Sequence, residues 1–172
     1  MTVILGIDPG SRKTGFGVIR LENNRPLYVS SGIIRLPVAN TLSARLKVLF
    51  ESLSEIIDTY QPTEASIESV FVAKSADSAL KLGHARGAAM VACVIQNVAV
   101  HEYAARQIKQ SVVGTGAANK KQVQHMVTTL LKLSAEPPED AADGLAAALC
   151  HCHASGLAAT LASSGFRAGR LR

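Results

Sequence analysis

The apolar residues of this chain change their period once, near residue 41, and that change limits the fold more than any other feature. Before it, short apolar runs alternate with tight polar turns. Residues 2–8 end at Pro9-Gly10-Ser11-Arg12, Phe16 to Leu21 ends at Glu22-Asn23-Asn24, and Leu27 to Leu36 follows. Such runs joined by such turns predict an antiparallel meander. After it, Leu42, Leu46, Leu49, Leu53, Ile56, Ile57 and Tyr60 recur at three and four, the mark of an amphipathic helix. Asn40 or Thr41 can cap that helix and Pro62 stops it. A buried strand from Ala65 to Val70, a helix from about Asp77 to Gln96 and a strand from Val98 to Glu102 come next. A helix from Asn119 to Leu133 and one from Pro137-Pro138 to about Ala154 complete the pattern. Three strands followed by alternating helices and strands predict an α/β fold, a mixed five-stranded sheet with helices on both faces.

At 172 residues the chain suffices for one domain and is too short for two ordinary ones. With 48% hydrophobic and 4% aromatic residues and no Trp, its core must be built on Ala, Val, Ile and Leu. The longest stretch free of both charged residues and His, Gly87 to Val100, falls short of the ~20 residues a membrane helix needs. The N-terminus has no cationic region before its apolar run, which ends at an acid, so no signal peptide is expected. Cys93, Cys150 and Cys152 make no disulfide framework and suit a reducing cytoplasm. We therefore expect a cytoplasmic single domain over residues 1–155, with a flexible basic tail over 156–172.

Net charge is +5, which suits a polyanionic partner without requiring one. Its distribution says more. From Tyr103 to Ala135 there are five Lys and Arg residues, Lys109 and Lys120 among them, and no acid. A solvated cationic face explains that equally well.

Acids are scarce, thirteen in all, so those among apolar neighbours stand out. Asp8 ends the first run before Pro9-Gly10, where a turn former is ordinary. Glu68 alternates with Ile67 and shares a face with Ser66, as on a solvated edge strand. Asp140 follows two prolines, where an acid answers the helix dipole. Asp143 is harder to explain, one turn deeper among small apolar residues, where a carboxylate is costly without a cation. Two acids at strand ends and two on one helix face would form a cluster that repels itself unless divalent ions neutralise it. Oxygen ligands alone select Mg²⁺ or Mn²⁺, and two such ions on a phosphate perform phosphodiester hydrolysis.

Cys150-His151-Cys152-His153 is rejected as a zinc site, because cysteines two apart on a helix point in nearly opposite directions. Gly10, Gly15 and Gly17 make no dinucleotide fingerprint, because a strand follows them.

Several motifs together resemble those of the RuvC-type Holliday-junction resolvases. They are Leu5-Gly6-Ile7-Asp8-Pro9-Gly10-Ser11-Arg12 with Thr14-Gly15-Phe16-Gly17, Ile67-Glu68-Ser69-Val70-Phe71, and Asp77-Ser78-Ala79-Leu80-Lys81-Leu82-Gly83. Glu102-Tyr103-Ala104-Ala105-Arg106-Gln107, Lys109-Gln110, Lys120 with Gln122-Val123, and Asp140-Ala141-Ala142-Asp143 continue the likeness in order to about residue 153. The resemblance implies an RNase H-like fold, a homodimer, and Mg²⁺-dependent cleavage of four-way DNA junctions in recombination and repair, with a branch-migration motor as partner. It implies two ions per subunit, replaceable by Mn²⁺. By motif the catalytic and metal-holding acids are Asp8, Glu68, Asp140 and Asp143, and Phe71, Lys109 and Lys120 meet DNA. Gly144 departs from the family's usual Ala and His84 from its usual Gln.

Two other classes compete. An actin-like phosphate-binding ATPase needs two such domains and a second phosphate loop, more than this length holds. A non-catalytic junction-binding module would keep the basic surface but has no use for four acids beside phosphates.

Overall fold

The computed structural model describes residues 2–23, 25–69 and 75–163. Strands β1 (Thr2–Asp8), β2 (Lys13–Glu22) and β3 (Arg25–Arg35) form the expected meander. Strands β4 (Glu64–Ser69) and β5 (Ala99–Ala104) continue the sheet on the other side of β1, parallel to it, in the order β3-β2-β1-β4-β5. Each parallel step is bridged by a helix, α1 (Leu42–Tyr60) and then α2 (Ala76–Ile95). The chain closes with α3 (Ala105–Val113), α4 (Lys120–Leu130) and α5 (Glu139–Ser163).

Local chemistry sets these bounds. Thr41 caps α1 by accepting the Ala44 N–H at 3.3 Å, and the helix ends at Gln61 in the left-handed region, φ 48°. Asn119 and Gln122 cap α4 reciprocally, each side chain accepting the other's backbone N–H at 3.0 and 2.9 Å.

The sheet has a core on each face. Leu5, Ile7, Val18 and Ile67 pack with Leu49, Leu53 and Ile57 of α1 and Ala89 and Ala92 of α2. Ile4 and Ile19 pack with Leu145, Ala148 and Leu149 of α5, which α3 and α4 cover through Ile108, Val123 and Val127. Burying one such Leu or Ile contributes about 1.5–3 kcal/mol, and deleting one costs about 2–5 kcal/mol. Among the described residues no helix is long and apolar enough to cross a membrane.

Three differences from the sequence reading matter. β4 lies inside the sheet between β1 and β5, so Glu68 is not on a solvated edge strand. α3 was not expected at all; its cap residue Ala104 makes no side-chain hydrogen bond to it, and it stops at Gly114, φ 87°. α5 runs on past Ala154 to Ser163, so the first part of the segment expected as a flexible tail is helical. Phe71 and the arginines of the tail lie outside the described residues.

Candidate active site

Asp8 is the last residue of β1, and Ile7 pairs with Ile67 of β4, so Asp8 and Glu68 leave neighbouring parallel strands at the same end. They share the sheet face that Gly6 and Ser66 present to α5. Ser66, fully buried, donates its hydroxyl to the Ala147 carbonyl of α5 at 2.7 Å.

Glycine lets α5 reach that face at backbone distance. A Cβ on Gly6 would stand 2.0 Å from the Gly144 carbonyl oxygen, and one on Gly15 1.8 Å from that of Asp140. A Cβ on Gly17 would stand 2.6 Å from the Leu145 backbone, and one on Gly144 2.6 Å from that of Phe16. No side chain fits at these four positions, and the N-terminal turns of α5 lie on the β1–β2 hairpin. That contact carries Asp140 and Asp143 to Asp8 and Glu68. Gly144, the departure from the family pattern, belongs to the same contact.

The electrostatics follow from this crowding. Burial first, then the charges of Glu68, Asp143 and Asp140, push the Asp8 carboxyl up to about 8, with Lys120 acting against them. Burial and Asp143 raise Glu68, opposed by Lys109 and Lys120. Asp143 is pushed up to about 6, again by burial first, with Lys120 opposing it, Glu139 and Asp140 adding to it, and Lys109 opposing. Asp140 is ion-paired to the Lys13 ammonium, and Lys120 to Glu139.

All four acids named from the sequence therefore converge, and Lys109 and Lys120 stand close enough to act on them. Lys13 was missed. It follows the Pro9-Gly10 turn at the start of β2, two residues before Gly15, which pairs with Asp8. The antiparallel pairing of β1 with β2 was the available signal. The turn is closed by the Gly10 N–H donating to the buried Thr14 hydroxyl at 3.3 Å.

Burial and mutual repulsion make the charged forms of Asp8 and Asp143 costly unless cations sit beside them. The donor set is all oxygen, which fits hard divalent ions and not zinc. Asp8, Glu68, Asp140 and Asp143 are the residues that would hold them.

The family model described as Crossover junction endodeoxyribonuclease RuvC matches residues 4–151. The chain is 62% identical over 157 residues to the crossover junction endodeoxyribonuclease RuvC of Teredinibacter turnerae, covering 89% of each chain. It is 59% identical over 172 residues to that of Saccharophagus degradans, covering 99% of each. Among solved structures, RuvC of Thermus thermophilus in complex with a Holliday junction substrate superposes with a TM-score of 0.86 at 29% identity, over 92% of this chain and 97% of that one. Matched over most of its length by the family model, and sharing more than half its residues with full-length relatives, the chain belongs to the family of RuvC crossover junction endodeoxyribonucleases.

Proposed function

We propose that this chain resolves four-way DNA junctions by cutting paired strands, with Asp8, Glu68, Asp140 and Asp143 as the catalytic acids. The observation that carries this reading is the convergence of those acids at one end of β1 and β4, where burial and then the neighbouring acids push Asp8 to about 8. Such a cluster is costly to maintain except where cations are to be held beside phosphate.

Divalent ions held there, two Mg²⁺ per subunit with Mn²⁺ able to replace them, supply Lewis acidity to the scissile phosphate and lower the pKa of an attacking water. The chain's own part is positioning. Ser66 on Ala147 and the glycine contact fix α5 against β1 and β4, so the carboxylates keep their places when DNA arrives. Lys13 holds Asp140 in one orientation. Lys109 and Lys120 bind phosphates flanking the cut and offset the cluster's negative charge before ions and DNA enter. Phe71, outside the described residues, is assigned to stack on an opened base.

The protein acts as a homodimer, one active site for each strand, joined through α2. That helix exposes Leu80, Val91, Val94 and Ile95. Gly83 and Gly87 on it face open space, which leaves room for a second helix to approach closely. It works in the cytoplasm, and by family likeness it receives its junction from a branch-migration motor.

The test is incision of a synthetic four-way junction. We expect symmetric, paired cuts that require Mg²⁺ or Mn²⁺, with little cutting of linear duplex of the same sequence. Binding without cleavage at any divalent-ion concentration would overturn the reading in favour of a non-catalytic junction-binding module.

A further inference from the structure

A second group of ligating side chains converges on the same face of the sheet, at the opposite end of β4. Residues 143, 147 and 151 recur every four along α5 and run antiparallel to residues 68, 66 and 64 of β4. Asp143 acts on Glu68, the Ala147 carbonyl accepts from Ser66 at 2.7 Å, and His151 Nε2 meets a Glu64 carboxylate oxygen. His101 of β5, which pairs with Ser66, stacks on His151 with ring centroids 4.2 Å apart and planes 23° apart. One ligand atom from each of Glu64, His101 and His151 lies within 4.8 Å of the others.

A carboxylate and a hydroxyl already satisfy the buried His151 imidazole, since its Nδ1 lies 2.7 Å from the Tyr103 Oη. That link alone leaves His101 unexplained. Two stacked imidazoles beside one carboxylate make a nitrogen-rich donor set, unlike the all-oxygen cluster at the other end. We propose that Glu64, His101 and His151 form a second metal site, selective for zinc-class divalent ions over Mg²⁺.

The donor chemistry carries this assignment. Two imidazoles and one carboxylate suit a borderline-soft ion and leave a fourth position open. His101 is exposed, which gives the ion an entry path and the ring freedom to turn toward it. Tyr103 plays the supporting part usual behind a metal-bound imidazole. With an ion on Nε2, the Tyr103 hydroxyl would accept the Nδ1–H proton, fixing the tautomer and directing the Nε2 lone pair at the ion. Metal there would clip α5 to β4 and β5. Of the Cys150-His151-Cys152-His153 run, only His151 takes part; Cys150 and Cys152 are buried, and His153 Nδ1 lies 3.0 Å from the Ser111 hydroxyl.

The experiment is calorimetric titration of Zn²⁺ into the full chain in excess Mg²⁺, which keeps the carboxylate cluster filled. We expect one Zn²⁺ per chain and a rise in Tm, both lost in His101→Ala. That variant changes an exposed side chain, and its far-UV spectrum and metal-free Tm check that it folds. Tyr103→Phe should bind about 10–100-fold more weakly, and Asp143→Asn should bind Zn²⁺ as the parent does. Co²⁺ should give the intense visible bands of four-coordinate nitrogen–oxygen ligation in the parent and not in His101→Ala. No Zn²⁺ binding in excess Mg²⁺, unchanged binding in His101→Ala, or binding that disappears with Asp143→Asn would each overturn the proposal.

Discussion

Gly15→Ala tests the contact on which the carboxylate cluster depends. The new Cβ would lie 1.8 Å from the Asp140 carbonyl oxygen and 2.5 Å from its carbon, where ordinary contact begins at 3.4 Å. Gly15 sits in β2 with β1 on one side and β3 on the other, so it cannot yield. The obstacle is backbone, so no rotamer change relieves it. The first turn of α5 must move away by roughly the difference, about 1.6 Å, in a core that resists overpacking. We expect a loss of about 2 kcal/mol, which for a chain of this size lowers Tm by about 4–8 °C. Activity should suffer more than stability. Asp140 and Asp143 ride on the displaced turn while Asp8 stays with β1, and a misplacement of about 1 Å is worth about a hundredfold in rate. Junction binding should change little, because Lys109 and Lys120 lie on α3 and α4. Thermal unfolding, junction cleavage and gel-shift binding measure the three effects. Gly17→Ala, whose nearest overlap is 2.6 Å, should show the same pattern more weakly. A Gly15→Ala protein with the parent's Tm and a cleavage rate within about threefold of it would refute the reasoning.

Other predictions rest on charge. Asp8→Asn should abolish cleavage while leaving junction binding intact or tighter, by gel shift, because a negative charge beside phosphate is removed. In metal-free protein Asp8 is raised from 3.8 to about 8, so the folded state holds a proton that the unfolded state releases. Its contribution is therefore present below about pH 4 and lost as pH rises through about 8, at most on the order of 5 kcal/mol. Tm measured in EDTA should fall from pH 5 to pH 8, and Asp8→Asn should flatten that slope. Lys109→Ala and Lys120→Ala should each weaken binding to all junction sequences and reduce the salt slope by about 1; an unchanged slope in both would remove them from the DNA interface. Val94→Glu on α2 should convert a dimer to a monomer in sedimentation, with paired cutting lost.

The meander and the helix from residue 42 were legible because hydrophobic period and turn chemistry are local. Thr41 and Pro62 mark the ends of α1 within a residue or two, since capping hydrogen bonds and the missing proline N–H act over one turn. The four acids were legible because a carboxylate among small apolar residues is costly, and three of the four still had an ordinary local explanation. The order of the sheet resolves Glu68: only a partner strand on each side takes it off an edge, and strand order is not written in alternation. Lys13 and Asp140 are 127 residues apart, so no local pattern could join them. α3 escaped because Ala104 is a poor cap and its apolar stripe rests on two buried residues, Ile108 and Val112. The zinc reading of Cys150-His151-Cys152-His153 failed for the reason given, divergence around a helix. It could not reveal that His151 faces Glu64 and His101 from two other elements.

What makes α5 suitable for this work is that it is buried on nearly every side. Residues 141, 142 and 145 to 152 are all buried, with the sheet beneath them and α3 and α4 above. A surface helix could carry two carboxylates at little cost, but it could shift when charged ligands arrive. Here the same burial that raises Asp143 to about 6 also fixes it, because moving the helix would open the core it forms with the sheet, α3 and α4. Glycine at residues 6, 15, 17 and 144 then sets the approach between helix and sheet at backbone contact, the closest distance available to a protein. Placement and electrostatic strain therefore have one cause. A substitution that relieves the strain by letting water in must also loosen the geometry, so the unfavourable acids and the small residues of this stripe act together.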